Sequence, residues 1–236
     1  MQEYLLFVDT ETSGLPVDWR RPYSAAGNWP HIAQLAWAVY TPDGQLVKTE
    51  NHYLRVPAAV MSPVSVGIHG LTPEFLQAHG QEAPTIMQLF HDDLRHYRPL
   101  VVGHFMKLDF HMVGAEFYRA GLPNLLDELP TFCTMTVTAR FVRHTLQRYL
   151  PLGELYQRLF DRPLLHQHDA AVDAHATAEC FFELWRHGDV DEAVLAAQPP
   201  LRAPTASSWR DSWPRVVLLG GAALLILFLL WHWLYG

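Results

Sequence analysis

The chain has 236 residues, of which 50% are hydrophobic and 17% charged, with a formal net charge of -7. That length suits one domain of ordinary size, or one domain with an appendage, and that composition excludes wholesale disorder. The acidic balance leaves no global basic field, so any contact with a polyanion must be local.

Residues 4–9, YLLFVD, read as a short buried strand. Gly14-Leu15-Pro16 opens a loop that runs to about Pro30. HIAQLAWAVY (31–40) is a second strand, Thr41-Pro42-Asp43-Gly44 a turn, and Gln45–Val56 the returning strand. Thr72-Pro73 has the form of an N-cap followed by proline at the first helical position, and Gly80 closes that helix. Residues 84–97 have helical spacing, and LVVGH (100–104) is a short apolar strand. A helix is predicted from Leu108 to Ala120, ended by Gly121, then a strand near Thr131–Met135 and helices over roughly 138–160. His168–His187 reads as a long helix ended by Gly188. Strands that come early and paired, then alternate with helices, predict an α/β fold with a mixed sheet flanked by helices.

The predicted domain spans 1–188, and a flexible Pro/Ala/Ser linker follows over 189–213. Residues 214–235 then form an apolar segment, in which Val216 to Trp231 carries no polar side chain. About 20 residues of helix span the hydrocarbon layer, so a C-terminal transmembrane helix is expected, with the lipid bilayer as a partner. Trp209 and Trp213 on one side, and Trp231, Trp233 and Tyr235 on the other, suit the two interfaces. Arg202, Arg210 and Arg215 precede the apolar run that begins at Val216 and no Lys or Arg follows it, which is expected to place the domain in the cytoplasm. The N-terminus has no basic region before an apolar stretch, so no signal peptide is expected. Cys133 and Cys180 form no CxxC pair, which excludes a disulfide scaffold and a cysteine-built zinc site.

Three acidic clusters carry the chemistry. Asp9-Thr10-Glu11 ends the first strand. Residues i and i+2 of a strand share a face, so both carboxylates point together and repel unless a cation or proton is shared. Taken alone, this pair reads equally as a solvated loop with a capping Asp. Asp109 follows LVVGH at a helix start, where a carboxylate also suits the helix dipole. His168-Asp169-Ala170-Ala171-Val172-Asp173 puts a histidine before a helix and an aspartate in its first turns. Together these junctions fit a two-metal phosphodiesterase site. Hard divalent ions prefer carboxylate oxygens, a pair of them serves an in-line displacement, and a histidine near neutrality can take a proton from water.

FVDTETSGLP, GHFMKLDF and HDAAVDAHAT resemble the three motifs of the DnaQ-like (DEDD-h) 3'→5' exonuclease family, which has an RNase H-like fold. The resemblance covers about Tyr4 to Trp185. It implies Asp9, Glu11 and Asp173 as ligands of two Mg²⁺ or Mn²⁺ ions, Asp109 completing the site through water, and His168 as general base. It also implies Thr10 and Thr12 beside the terminal nucleotide. IHGLTPEFL (68–76) is similar to a loop and helix of the family, so His69 and Leu71 either contact the terminal base or are structural. The family usually carries Asn where this chain has Phe105, which cannot make an amide's hydrogen bonds. The segment 140–162 holds Arg140, Arg143, Arg148, Arg158 and Arg162 against Glu154 and Asp161. It is either a phosphate-contacting face or a solvated helix face.

The expected function is metal-dependent 3'→5' hydrolysis at the 3' end of single-stranded DNA or RNA, releasing nucleoside 5'-monophosphates beside a membrane. A nucleic-acid-binding or scaffolding module on the same fold is the alternative, supported by Phe105 alone. A polymerase proofreading subunit would need a tail outside the lipid. An HD-type phosphohydrolase would need further histidines in matching positions.

Overall fold

The structure, a computed structural model, describes residues 2–142 and 149–205. The segment 214–235, with Arg143 and Arg148, lies outside the described residues. Among those described, no helix is long and apolar enough to cross a membrane.

The strands are β1 (Leu5–Thr12), β2 (Ile32–Tyr40), β3 (Leu46–Tyr53), β4 (Leu100–Gly103) and β5 (Thr131–Cys133). They form one mixed sheet in the order β3-β2-β1-β4-β5. β2 pairs antiparallel with β1 and β3, whereas β4 runs parallel to β1 and β5 parallel to β4. β1, β2 and β4 are buried along almost their whole length, so they read as continuous apolar runs. The expected turn is present: Gly44 takes φ 86° and Thr41 N–H donates to the Gln45 carbonyl at 2.9 Å.

The helices are α1 (Pro63–His69), α2 (Pro73–His79), α3 (Ala83–Tyr97), α4 (Met106–Ala120), α5 (Thr134–Val137), α6 (Leu152–Phe160), α7 (Ala170–Arg186) and α8 (Glu192–Ala197). Thr72 caps α2 as its sequence indicates, accepting from Phe75 N–H at 3.2 Å. Two cores flank the sheet. Leu6 and Val8 pack with Phe90 of α3 and Phe110 and Phe117 of α4 on one face. Leu5 and Phe7 pack with Leu155 of α6 and Phe181 and Leu184 of α7 on the other.

Several boundaries differ from the sequence reading. β1 runs through Asp9 and Glu11 to Thr12, because β2 keeps pairing with it past the apolar stretch. α1 was not predicted; its seven residues bury none of their side chains, so it has no apolar stripe to announce it. Of the helices expected over roughly 138–160, the described residues show a 3-10 turn at Thr138–Phe141, continuing from α5, and α6 capped by Pro151.

The segment read as a flexible linker is docked as far as residue 205. Val194 and Leu195 of α8 join the core around Phe181. Gln198 then acts as a missing strand partner for β5: its Oε1 accepts from Cys133 N–H at 2.8 Å and its Nε2 donates to the Cys133 carbonyl at 2.9 Å. Leu201 crosses to the other core, and Ala203 N–H donates to Asp127 Oδ1 at 2.9 Å. The strap therefore covers a sheet edge that would otherwise be open to pairing. Gln198→Ala is expected to cost about 1–2 kcal/mol and lower Tm by about 3–6 °C. A thermal melt of the full chain checks this, and an unchanged Tm would show that water replaces the amide without loss.

Candidate active site

The chain leaves β1 for β2 and β3 on one side, then returns as β4 on the other. The strand order thus reverses between β1 and β4, and ligands of open α/β sheets bind beyond the carboxyl ends of strands at such a point. All three acidic clusters meet there. Odd residues of β1 face α7, so Asp9 and Glu11 continue the row of Leu5 and Phe7 toward Asp173 in the first turn of α7. A register shift between Glu11 and Thr12 ends the regular ladder beside this pair.

Even residues face α4, and Thr10 uses that face. It is buried, and its Oγ1 donates to Asp109 Oδ1 at 2.8 Å. Gly103 lets the first turn of α4 approach so closely: a β-carbon there would meet Asp109 Oδ2 and Met106 Sδ, both at 3.0 Å. α4 begins at Met106, two residues before the predicted start, which puts Asp109 within its first turn.

α7 begins at Ala170 rather than His168. Asp169 caps it, accepting from Ala171 N–H at 2.9 Å. Gln34, buried near the start of β2, clamps that helix start to the sheet. Its Nε2 donates to Asp169 Oδ1 at 3.2 Å and its Oε1 accepts from Ala170 N–H at 3.2 Å. A single amide within the apolar run HIAQLAWAVY was the available signal for this role. His168 stands just before the cap with φ 65°, its side chain exposed, and its backbone N–H donates to Asp173 Oδ2 at 2.9 Å. Ligand atoms of Glu11, His168 and Asp173 lie within 4.8 Å of one another.

Burial, followed by the charges of Asp109, Asp173, Glu11 and Asp169, pushes the Asp9 carboxyl well above its usual range. Glu11 is raised to about 9, first by burial and then by Asp173 and Asp109. Asp109 rises to about 7 by burial, partly offset by the Thr10 hydroxyl. Asp173 rises to about 6 by burial, offset by the bond from His168 N–H. Burial also lowers the His168 imidazole below its ordinary value, so it is neutral near pH 7. Asp173 Oδ1 is buried with no hydrogen-bond partner. Four mutually repelling carboxylates with an orphaned oxygen, and no cationic side chain bonded to any of them among the described residues, fit a hard divalent cation.

Other expected contacts are placed differently. Thr12 Oγ1 donates to the Gly14 carbonyl at 2.8 Å, so it serves the loop. His69 Nδ1 accepts from Leu71 N–H at 3.0 Å and its Nε2 lies 3.2 Å from the Thr12 carbonyl. One neutral tautomer satisfies both bonds, and burial lowers its pKa accordingly. Leu71 is 8% exposed and packs on Val56 and Leu76. Both residues thus have local structural partners. Arg140 lies 3.6 Å from Asp189 and, like Arg158, sits over the Phe141 ring, while Arg162 reaches Glu179 and Tyr156. Arg140 and Arg158 thus meet at one ring, while Arg162 is engaged by Glu179 and Tyr156.

The model of the RNase_T exonuclease family matches residues 6–181. In structure the chain is similar to E. coli exonuclease I. The complex of that enzyme with a dT13 oligonucleotide superposes with a TM-score of 0.64 at 20% identity, over 78% of this chain and 41% of that one. The complex with a dA16 oligonucleotide gives 0.65 at 18% identity, over 83% and 42%. A product-bound structure of exonuclease I gives 0.62 at 18%, over 79% and 44%. This chain thus spans less than half the length of the chains it superposes on, and the likeness is one of fold. Comparison with curated proteins finds no match. With the family match covering all three carboxylate-bearing segments and the fold agreeing, the chain belongs to the RNase_T exonuclease family.

Proposed function

We propose that the chain is a divalent-metal-dependent 3'→5' exonuclease that trims single-stranded nucleic acid and releases nucleoside 5'-monophosphates. The observation that carries this reading is the orphaned Oδ1 of Asp173, inside a cluster whose Glu11, His168 and Asp173 ligand atoms lie within 4.8 Å. Family membership supports the hydrolase, and the dT13 and dA16 complexes of exonuclease I support a single-stranded substrate.

Asp9, Glu11, Asp109 and Asp173 would hold two ions, Mg²⁺ or Mn²⁺. Bound there, they would activate a water and stabilise the leaving oxygen of the phosphodiester. Thr10 keeps Asp109 oriented toward the cluster, and Gln34 with Asp169 fixes the start of the helix that carries Asp173. His168 accepts the proton of the attacking water. Its lowered pKa keeps the ring nitrogen free, and its exposed position before the cap gives it access to solvent and substrate.

The run 214–235 supplies a single C-terminal membrane anchor in this reading, with the domain on the cytoplasmic side. Its length, the absence of any polar side chain from Val216 to Trp231, and Arg202, Arg210 and Arg215 before that stretch support this.

The test uses the full chain in detergent with Mg²⁺ or Mn²⁺. It is incubated with 5'-labelled single-stranded DNA and RNA of one sequence. A ladder shortening from the 3' end, abolished by EDTA, is expected, and the faster polymer names the substrate. Tight binding of both polymers without shortening would instead establish a binding module.

A further inference from the structure

Phe105 is where the second motif departs from its family, and its backbone is unusual. It caps α4 with φ 76° and ψ 40°, a left-handed conformation that bulky side chains rarely adopt and that Asn or Gly takes readily. Its side chain is not withdrawn into the core, for the residue is 36% exposed. Folding alone does not account for a large ring held in a disfavoured conformation and left at the surface; such outliers concentrate where a ligand is handled.

A second ring stands beside it. Trp19 lies 6.3 Å from Phe105 between centroids, and Lys107 Nζ sits 4.9 Å over the Trp19 ring. Trp19 belongs to the long loop after β1, and that loop is firmly held. Trp19 packs edge-on to Trp29 and His111, and Tyr23 Oη lies 3.0 Å from His111 Nδ1. Tyr23 also fills the space over Gly114, where a β-carbon would meet its hydroxyl at 2.5 Å. The aromatic pair is therefore positioned before any ligand arrives. Phe105 also borders a cavity of about 630 Å³ whose lining includes Lys107, Met135, Arg140, Val194 and Leu201. Asp109 is four residues along α4, about one helical turn away.

We propose that Phe105 and Trp19 form a stacking platform for the base next to the 3'-terminal nucleotide, with Lys107 serving the adjoining phosphate. This rests on the exonuclease reading above. Aromatic faces accept any base, so the platform confers grip on single strands without sequence choice.

The test compares the full chain with Phe105→Asn and Phe105→Tyr on oligo(dT) in Mn²⁺. Phe105→Asn is expected to raise KM roughly tenfold, with the loss on KM rather than kcat, from the stacking it forfeits. Its Tm is expected to stay level or rise, because asparagine tolerates the left-handed conformation, and Phe105→Tyr is expected to restore the low KM. In EDTA, an oligonucleotide with 2-aminopurine next to its 3' end should be quenched on binding the parent protein and not on binding Phe105→Asn. An unchanged KM, equal quenching, or a KM rise accompanied by a lower Tm would overturn the platform. Failure of the parent protein to shorten or bind the oligonucleotide would overturn the exonuclease reading, and the platform with it.

Discussion

Asp173→Asn is expected to lower kcat on the order of 10³-fold while stabilising the metal-free protein. Oδ2 of Asp173 accepts from His168 N–H at 2.9 Å, and an asparagine oxygen can do the same. The other oxygen is buried without a partner, and the amide that replaces it can donate to the neighbouring carboxylates. What disappears is one negative charge from a set in which Asp9, Glu11 and Asp109 all feel Asp173. Above pH 7 the ionised Asp173, raised to about 6, costs the folded protein on the order of 3 kcal/mol. Its removal should therefore raise Tm in EDTA. The same change deletes a metal ligand, and a loss of several kcal/mol of transition-state stabilisation lowers kcat on the order of 10³-fold. Activity within tenfold of the parent at saturating Mn²⁺ would remove Asp173 from the metal site. A lower Tm in EDTA would show that the carboxylate is structural.

Most of the frame was legible because it is written in local patterns. The apolar runs of β1, β2 and β4 gave the sheet, and Thr72-Pro73 and Gly121 marked helix ends. The five residues Asp9, Glu11, Asp109, His168 and Asp173 stand on three segments that the topology brings to one edge. What was not legible depends on contacts distant in sequence. The role of the Thr10 side chain is one example: strand alternation turns it to the opposite face from Asp9 and Glu11, where it finds Asp109 across 99 positions. His69 leaves both a base contact and a structural loop open in sequence; its bonds to the Thr12 carbonyl and the Leu71 N–H come only with the fold. The linker composition of 189–205 concealed a strap, because nothing local says that Gln198 will pair with a strand 65 residues earlier. Phe105 reads in sequence as a missing amide; its left-handed backbone and its neighbour Trp19 make it a candidate contact.

The carboxylate cluster also fixes how stability depends on pH, and here the sign is the reverse of a salt-bridged acid. A carboxyl whose folded pKa lies above its unfolded value holds more protons when folded. Its contribution is neutral below the ordinary carboxylate range, falls as pH rises through the gap, and levels off above the folded value. For Asp109, raised to about 7, and Glu11, raised to about 9, the fall extends across neutral pH. The buried histidines act oppositely but lower down: His104 and His111, both near 4, favour folding increasingly as pH rises from there to about 6.5. Burial raises the Cys180 thiol and the Tyr23 hydroxyl, and these erode stability only as their unfolded counterparts ionise above pH 8.5 or so. Between pH 7 and 8.5 the carboxylates therefore dominate, and Tm in EDTA should fall steadily. Divalent ions bind the ionised set, so their affinity grows over the same interval as fewer protons must be displaced. At a concentration of 100 Kd they stabilise by about 2.7 kcal/mol. The Tm increase from Mn²⁺ should thus be larger at pH 8.5 than at pH 7, and Asp173→Asn should diminish both the slope in EDTA and the response to the ion. A melt series with and without Mn²⁺ reads all three. A Tm in EDTA that rises from pH 7 to 8.5, or an ion response independent of pH, would mean that these carboxylates are solvated and apart rather than a cluster waiting for a cation.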